Sequence, residues 1–261
     1  MAKIVAIANQ KGGVGKTTTA INLSSCLAHY GQETLLVDMD SQSNATSGLG
    51  IDKDRVKHTI YEVLLEKASI EDILIPTEID WLDLIPANVD LIGAEVELVA
   101  LISRETRLSK ALNGLDKIYK YILLDCPPSL GLLTVNSLTA AHSVIIPIQC
   151  EYYALEGLGQ LMETLRLVRE NLNPGLEIEG VVLTMFDGRL SLSSQVVEEV
   201  NRFFKQAVYQ TKIPRNVRLA EAPGFGKPVI LYSRDSKGAQ AYLSLTREFL
   251  SRNGVKIEEE S

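Results

Sequence analysis

The sequence predicts an α/β fold, with a single doubly wound and mostly parallel sheet flanked by helices. Short apolar runs recur along the chain, and most are continuous rather than alternating, which is typical of parallel strands covered on both faces. Helical patterns separate several of these runs, so right-handed crossovers would join the strands. Ligands of such sheets bind at the carboxyl ends of the strands, which is where we expect the functional site.

The predicted elements follow one another in a regular order. Six apolar runs are predicted strands: Ile4–Ala8, Thr34–Val37, Leu82–Ile85, Tyr121–Leu124, Ser143–Ile148 and Gly180–Met185. Five stretches have helical spacing: Thr18–Tyr30, Leu91–Asn113, Leu155–Asn171, Ser193–Ala207 and Ala239–Leu250. Residues 52–80 are less regular and predict small helices outside the main sheet. We expect one domain over residues 1–254 and a frayed acidic tail over residues 255–261.

Composition excludes several classes of protein. A chain of 261 residues, 46% of them hydrophobic, has ample material for a core. Cys26, Cys126 and Cys150 lie far apart without a C-x-x-C pair, which favours a reduced cytoplasm over a disulfide framework or a zinc site. The N-terminus enters a strand directly, and no stretch approaches the ~20 apolar residues of a membrane span. We therefore expect neither secretion nor a membrane partner.

Charge is unevenly distributed along the chain. The net charge of −7 argues against nucleic acid as a partner. Between Phe186 and Arg252, however, there are eleven Lys and Arg residues and six Asp and Glu residues, a local charge of +5, and the rest of the chain carries −12. Such asymmetry is compatible with a basic face on an acidic protein, and also with ordinary solvated helices.

A phosphate-binding loop follows the first strand. Residues 9–18 read Asn-Gln-Lys-Gly-Gly-Val-Gly-Lys-Thr-Thr and precede a helical pattern. This arrangement presents backbone N–H groups and the positive end of a helix to an anion, although a glycine-rich turn without a ligand is the alternative. Lys16 would bridge the β- and γ-phosphates, and Thr17 would bind Mg²⁺ through its hydroxyl. The usual motif has glycine where this chain has Gln10, and phosphate binding does not require the second lysine, Lys11.

Two further strands are predicted to end in carboxylates. Asp125 follows Tyr121–Leu124, a position from which it could act on the shell of Mg²⁺, although such an aspartate also commonly caps a helix. Asp38 and Asp40 follow another apolar run and can point the same way, because residues alternate faces near a strand end. One of them could orient or deprotonate the attacking water. A polar turn that caps a helix is the alternative, and it is stronger for Asp38 than for Asp40.

These motifs resemble a known family. The deviant Walker A ATPases of the ParA/MinD superfamily have motifs similar to Lys-Gly-Gly-Val-Gly-Lys-Thr-Thr at 11–18, Asp-Met-Asp-Ser-Gln-Ser-Asn-Ala-Thr at 38–46 and Asp-Cys-Pro-Pro-Ser at 125–129. Residues 149–157 and 213–223 look like the chromosomal ParA proteins called Soj. The resemblance runs over about residues 2–250, nearly the whole chain.

The resemblance implies a DNA-partitioning ATPase that uses ATP and Mg²⁺. Its ATP-bound homodimer would bind double-stranded DNA without sequence preference, and a ParB-type partner would stimulate hydrolysis, in the cytoplasm and on the nucleoid. The extra lysine would reach the nucleotide of the other subunit, much as an arginine finger does, and the neighbouring glycine would leave room for that subunit.

Roles for individual residues follow from the same resemblance. The implied catalytic residues are Lys11, Lys16 and Asp40, with Asp40 activating water. Implied nucleotide contacts are Lys11, Gly12, Gly13, Val14, Gly15, Lys16, Thr17, Thr18, Pro214 and Asn216, with the last two around the adenine. Thr17 would bind Mg²⁺, Asp125 would support it through water, and Gly12 would serve dimerisation. Arg189 and Arg218 would bind DNA, and further candidates are Lys212, Arg215, Lys227, Arg234 and Lys237.

The chain departs from the usual family motif beside Asp40. Ser41 replaces a common proline and Ser43 a common glycine, and these changes bear on switch flexibility and hydrolysis rate. Two other classes are alternatives. A membrane-surface switch of the MinD type needs a basic amphipathic C-terminal helix, whereas this chain ends in a glycine-interrupted, glutamate-rich segment. Redox proteins resembling the nitrogenase iron protein need cluster cysteines from two loops, and neither Cys126 nor Cys150 matches that placement.

Overall fold

One seven-stranded sheet organises the computed structural model, which describes residues 2–152 and 158–256 apart from the side chain of residue 116. The strands are β1 (Lys3–Ile7), β2 (Thr34–Asp38), β3 (Ile75–Pro76), β4 (Leu82–Ile85), β5 (Tyr121–Asp125), β6 (Ser143–Gln149) and β7 (Glu177–Thr184). Their order is β3-β4-β2-β5-β1-β6-β7, and every pairing is parallel except that of β3 with β4. The predicted doubly wound fold is confirmed.

All six predicted strands are present, and the structure adds β3. This edge strand has two residues and pairs antiparallel with β4. It is too short for a periodicity to predict, and Pro76 is a residue that sheets accept mainly at an edge.

Helices cover the sheet. The α-helices within the described ranges are α1 (Lys16–His29), α2 (Asn44–Gly48), α3 (Ile60–Leu64), α4 (Leu91–Glu97), α5 (Arg107–Ala111), α6 (Leu132–Ala140), α7 (Leu158–Asn171), α8 (Ser191–Phe204), α9 (Val217–Glu221), α10 (Val229–Tyr232) and α11 (Lys237–Arg252). Short 3₁₀ turns join several of them. None of these helices is both long enough and apolar enough to cross a bilayer.

The prediction of one helix over Leu91–Asn113 is wrong. The helix α4 continues as a 3₁₀ turn to Ala100, and Ser103 then adopts a left-handed φ of 55° before α5 begins. Side chains satisfy the backbone at the break: the amide of Asn136 on α6 donates to the Arg104 carbonyl and accepts from Leu108 N–H. A tertiary partner therefore ends a segment that local spacing alone would continue.

Other boundaries differ little from the predictions. The helix predicted from Leu155 is described from Leu158, and its first residues lie outside the described ranges. The small helices expected in residues 52–80 are α3 and a 3₁₀ turn over Glu71–Ile73. Of the predicted tail, Val255 N–H donates to Leu250 and residues 257–261 lie outside the described ranges.

The core lies on both faces of the sheet. Val5 and Ile7 of β1 pack with Leu27 of α1 and Phe249 of α11 on one face. Ala6, between them, packs with residues of β6, α7 and β7 on the other face. Burial on both sides explains the continuous apolar runs of these strands, since neither face can be polar.

Candidate functional site

Three strands end side by side at the carboxyl edge of the sheet. Asp125 at the end of β5 is in register with Ile7 of β1 and with Asp38 of β2. The phosphate loop follows β1 directly, and α1 begins at Lys16. The convergence predicted for the three motifs is therefore present.

The phosphate loop is shaped by its glycines. Gly13 and Gly15 have φ values of 74° and 88°, a region that glycine adopts readily and other residues rarely do. The Asn9 side chain anchors the loop, because its amide donates to Pro147 at 2.7 Å and its oxygen accepts from Lys11 N–H at 2.9 Å. The Thr184 hydroxyl holds the Val14 carbonyl at 2.8 Å. The loop leads into the N-terminus of α1, the setting that binds anions.

Lys16 lies beneath the loop and is only 6% exposed. Its ammonium donates to the Lys11 carbonyl at 3.1 Å. Burial lowers the pKa of Lys16, and the charges of Asp125 and Asp40 oppose that shift. A buried ammonium at the mouth of an N-terminal anion site is well placed to bind phosphate oxygens.

Asp125 is a buried carboxylate short of donors. Among the described residues neither of its oxygens has a hydrogen-bond partner of standard geometry. Burial, followed by the neighbouring Asp38, raises the pKa of Asp125 well above its usual range, and the nearby Thr17 hydroxyl and Lys16 act in the opposite direction. Mg²⁺ commonly keeps several waters and uses few protein groups plus phosphate oxygens. The Thr17 hydroxyl and the unsatisfied oxygens of Asp125 fit such an ion.

Asp38 and Asp40 have different hydrogen-bond partners in the structure. Asp38 is fully buried and accepts from Thr46 N–H at 2.8 Å, from the Thr46 hydroxyl at 2.7 Å and from Asp40 N–H at 3.1 Å. Burial raises the pKa of Asp38 to about 6, although these hydrogen bonds oppose the rise. The two aspartates therefore do not point together into the cleft as predicted. Asp38 anchors the loop and α2, which matches the alternative of a capping turn.

Asp40 stays next to the cleft and is 8% exposed. One carboxylate oxygen accepts from Gln42 N–H at 3.0 Å. Ser43, where the family commonly has glycine, adopts a left-handed φ of 57°. This conformation accounts for the glycine that is common at this position in the family. Serine adopts the same conformation at a cost of about 1 kcal/mol. The loop that carries Asp40 is thus strained at one residue.

Lys11 pairs with a carboxylate of its own chain. Its ammonium lies 2.5 Å from Glu151, and both side chains are partly exposed. Gly12 is exposed, and a Cβ placed there would meet no atom within 4 Å. Nothing in the described part of this subunit requires glycine at position 12.

A cavity of about 290 Å³ lies beside the start of α1. Thr18, Pro214 and Asn216 line it together with Leu219 and Tyr242. Asn216 also caps α9, because its side-chain oxygen accepts from the N–H of residue 218 at 2.9 Å. The residues predicted around the adenine therefore lie next to the phosphate loop.

Of the two predicted DNA-binding arginines, Arg189 lies in the turn before α8 and Arg218 lies on α9. Phe186 and Pro214 form a parallel bridge, which places the loop of Arg189 beside the segment that leads to Arg218. The Arg189 side chain is 88% exposed and pairs with Asp187 at 2.6 Å. Arg218 is 51% exposed and pairs with Glu221 at 2.8 Å. Each positive charge is thus partly offset by a carboxylate.

Three residues of the site have roles that the sequence motifs do not predict. Thr46 holds Asp38, Glu151 holds Lys11, and Asn9 holds the loop against β6. All three lie inside the motifs. Their roles were missed because their partners are other protein groups, some of them distant in sequence, and not the nucleotide.

Comparisons with known proteins agree with this geometry. The sequence model of a protein family described as an AAA domain matches residues 2–178 of this chain. The sporulation initiation inhibitor protein Soj of Bacillus subtilis is 58% identical over 254 residues, 97% of this chain and 100% of that protein. The chromosome partitioning protein ParA of Myxococcus xanthus is 58% identical over 97% of this chain and 90% of its own length. The chain belongs to the Soj/ParA family.

A solved structure is also similar to this Soj/ParA-family chain over its whole length. Cobyrinic acid a,c-diamide synthase of Mycobacterium smegmatis, solved with ADP and magnesium, has a TM-score of 0.84 and 38% identity. The match covers 100% of both chains. The whole fold, including the edge that carries the phosphate loop, is therefore shared with a nucleotide-bound protein.

The cysteines of this Soj/ParA-family chain are buried thiols. Burial raises the pKa of Cys126 to about 12 and that of Cys150 to about 11. Cys126 is only 1% exposed and Cys150 only 7% exposed, whereas a cluster shared between two subunits needs cysteines that reach the subunit surface. Cys126 and Cys150 therefore do not match the cysteines that the nitrogenase-type alternative needs.

Proposed function

We propose that this chain is an ATP-driven partition switch whose ATP-bound homodimer binds double-stranded DNA without sequence preference. Hydrolysis, stimulated by a ParB-type protein, would release the DNA. The observation that carries the proposal is the phosphate loop with a second lysine, in a chain 58% identical to chromosome partitioning proteins. Identity to the diamide synthase is lower, at 38%, which favours partition.

Each step of ATP hydrolysis has a candidate residue. Lys16 and the loop N–H groups would hold the phosphates, and Pro214 and Asn216 would border the adenine. When bound, Mg²⁺ would neutralise phosphate charge and orient the γ-phosphate. Thr17 and, through water, Asp125 would hold that ion. Asp40 would accept a hydrogen bond from the attacking water and orient it.

The dimer rests on Lys11 and Gly12. The Lys11 ammonium is partly exposed and engaged by Glu151, so a γ-phosphate of another subunit, with more negative charge, could compete for it. Gly12 supports close approach of that subunit, because a side chain there would project into open space. The site would then be completed only when two copies meet.

DNA binding would use Arg189 and Arg218 from both subunits. Phosphate contacts of this kind carry no sequence information, and their affinity falls steeply with salt. Dimerisation doubles the contacts, which makes control of DNA affinity by ATP physically reasonable. We place the protein in the cytoplasm, on the nucleoid.

A membrane-surface role of the MinD type has less support. The apolar face of α11 packs against α1 in the core, where Tyr242 and Phe249 are buried. A membrane-binding helix would need that face free.

The test is DNA retention against salt with ATP, with ADP and without nucleotide. We expect retention with ATP only, and a stable ATP-bound dimer in Asp40→Ala, because this variant would bind ATP without activating water. Size-exclusion chromatography of Asp40→Ala with ATP and Mg²⁺ measures the dimer. A monomeric elution profile, or equal retention in all three nucleotide states, contradicts the proposal.

A further inference from the structure

Two carboxylates accompany the arginines that are proposed to bind DNA. Asp187 accepts three hydrogen bonds from Arg189: from the backbone N–H at 3.1 Å, from Nε at 2.9 Å and from Nη2 at 2.6 Å. Glu221 accepts from Nη1 of Arg218 at 2.8 Å, three residues along α9. Each guanidinium group therefore has a carboxylate of its own chain as a hydrogen-bond partner.

A second group holds each carboxylate beside its arginine. The side chain of Arg189, followed by its backbone N–H, lowers the pKa of Asp187 to about 2, so this carboxylate is ionised at neutral pH. Asp187 is also largely buried, with a side chain 19% exposed. Glu221 accepts from the Tyr232 hydroxyl at 3.2 Å, and the Tyr232 ring stacks on Phe225 with centroids 5.0 Å apart. Both negative charges are thus fixed parts of the surface that DNA would meet.

These carboxylates oppose the binding of DNA phosphates. A phosphate bound to Arg189 or Arg218 would lie about 6 Å from the neighbouring carboxylate, where repulsion at about 0.1 M salt weakens binding about twofold for each carboxylate. Exposed ion pairs are weak, so a guanidinium group can still exchange its carboxylate for a phosphate. The effect is therefore a lower affinity for DNA and not a block.

The penalty has a different consequence for one subunit and for two. A single subunit offers two arginines whose charges two carboxylates offset. Two subunits held together offer four arginines to one duplex, and the linked contacts add to the affinity without any new kind of interaction. A surface of moderate affinity therefore distinguishes the two states better than a strongly basic one, which would hold DNA as a single subunit.

We propose that Asp187 and Glu221 limit the DNA affinity of a single subunit, so that DNA is retained only by the ATP-bound dimer. This inference rests on the proposed function. Both residues act through the arginines, and neither is among the described residues that line the cavity beside α1. ATP hydrolysis measured without DNA should therefore be unchanged when they are replaced.

The test compares titrations of a labelled DNA duplex with the full chain, without nucleotide and with ATP. Asp187→Asn/Glu221→Gln removes both negative charges and keeps the size of the side chains. The matched control is Glu163→Gln/Glu170→Gln, which makes the same change in net charge at two carboxylates paired with Arg166 on α7. Filter retention without nucleotide should show an affinity raised about fourfold in Asp187→Asn/Glu221→Gln and unchanged in the control.

Two results overturn the role of the carboxylates. Equal nucleotide-free affinity in Asp187→Asn/Glu221→Gln and in the control would show that their position beside the arginines has no effect. A lower affinity than that of the wild type would show that they orient the arginines for DNA. Circular dichroism melts check that the variants are folded, and Asp187→Asn and Glu221→Gln alone, each expected to raise the affinity about twofold, repeat the measurement with less change to the surface.

The wild type with ATP separates this inference from the proposed function. If the wild type retains no DNA with ATP, the proposed function fails. If the wild type retains DNA with ATP, and Asp187→Asn/Glu221→Gln binds as the control does, only the role of the two carboxylates fails.

Discussion

At the scale of the residue, the site contains two buried ionisable groups whose hydrogen bonding within the described residues is incomplete. Lys16 has a carbonyl as acceptor and Asp125 has no standard hydrogen bond among the described residues. Such groups are costly to bury, and they persist where a ligand supplies the missing partner. Phosphate for Lys16 and hydrated Mg²⁺ for Asp125 are matching ligands.

Lys16→Ala should abolish ATP binding in isothermal calorimetry, because the buried ammonium is the charge beneath the phosphate loop. Lys11→Ala is the matched control, since Lys11 lies in the same loop but pairs with Glu151 at its edge. It should retain ATP binding and lose dimerisation. Unchanged ATP affinity in Lys16→Ala would refute the assignment of the loop.

Thr46→Val should lower the rate of ATP hydrolysis with little change in ATP affinity. The Thr46 hydroxyl joins the Asp38 carboxylate to Ala87 N–H, and Asp38 in turn accepts from the backbone of Asp40. Valine keeps the shape, removes one of the hydrogen bonds that Asp38 accepts and leaves the buried Ala87 N–H unpaired, which costs about 1–3 kcal/mol.

Phosphate release and ATP calorimetry measure the two effects of Thr46→Val separately. Thr46→Ser, which keeps the hydroxyl, should restore most of the rate. If Thr46→Val hydrolyses ATP at the wild-type rate, the network does not position Asp40.

At the scale of the element, the loops around the site pack closely through two glycines. Gly50, just after α2, and Gly226, before α10, both have left-handed φ values, 81° and 63°. A Cβ on Gly226 would lie 2.7 Å from the Cα of Gly50. The contact joins the segment that carries Asp40 to the one that follows the cavity lined by Pro214 and Asn216.

Gly226→Ala should therefore lower the free energy of unfolding by about 1–3 kcal/mol, since both the φ value and the approach of the two backbones oppose a side chain. Urea unfolding followed by circular dichroism measures the change. Gly224→Ala is the control, because a Cβ there meets no atom within 4 Å. Equal urea midpoints for the two variants would show that the contact tolerates a methyl group.

At the scale of the whole molecule, charge separation gives an acidic protein a basic region. The local charge of +5 between Phe186 and Arg252 contrasts with −12 elsewhere. The fold places the loop of Arg189 beside the segment that leads to Arg218, next to the cavity that Pro214 and Asn216 line. In the proposed function, nucleotide state and DNA affinity would be coupled over this short distance.

Arg189→Glu and Arg218→Glu should each weaken DNA binding by the ATP-bound dimer and leave ATP hydrolysis intact. Each change removes two phosphate contacts per dimer, so the slope of log K against log salt should fall by about 2. Filter retention at several salt concentrations measures it. Arg166→Glu is the control, because Arg166 is also exposed and paired with carboxylates but lies on α7 outside the basic segment. Retention equal to that of Arg166→Glu would mean that the basic face lies elsewhere.

The amino-acid sequence was sufficient to predict a mostly parallel sheet with six of its seven strands, the phosphate loop and the family. Buried parallel strands and glycine-rich turns are local features, and their signals lie in consecutive residues such as Gly12–Thr17. Tertiary packing set four other features: the break after α4, the turn of Asp38 towards Thr46, the pairing of Lys11 with Glu151 and the exposure of Ile92 and Val96 on α4. Each of these depends on a partner 8 to 140 positions away, or on which helix face the core leaves uncovered. The spacing of residues along the sequence does not predict such contacts, because they form only when the helices and strands pack together.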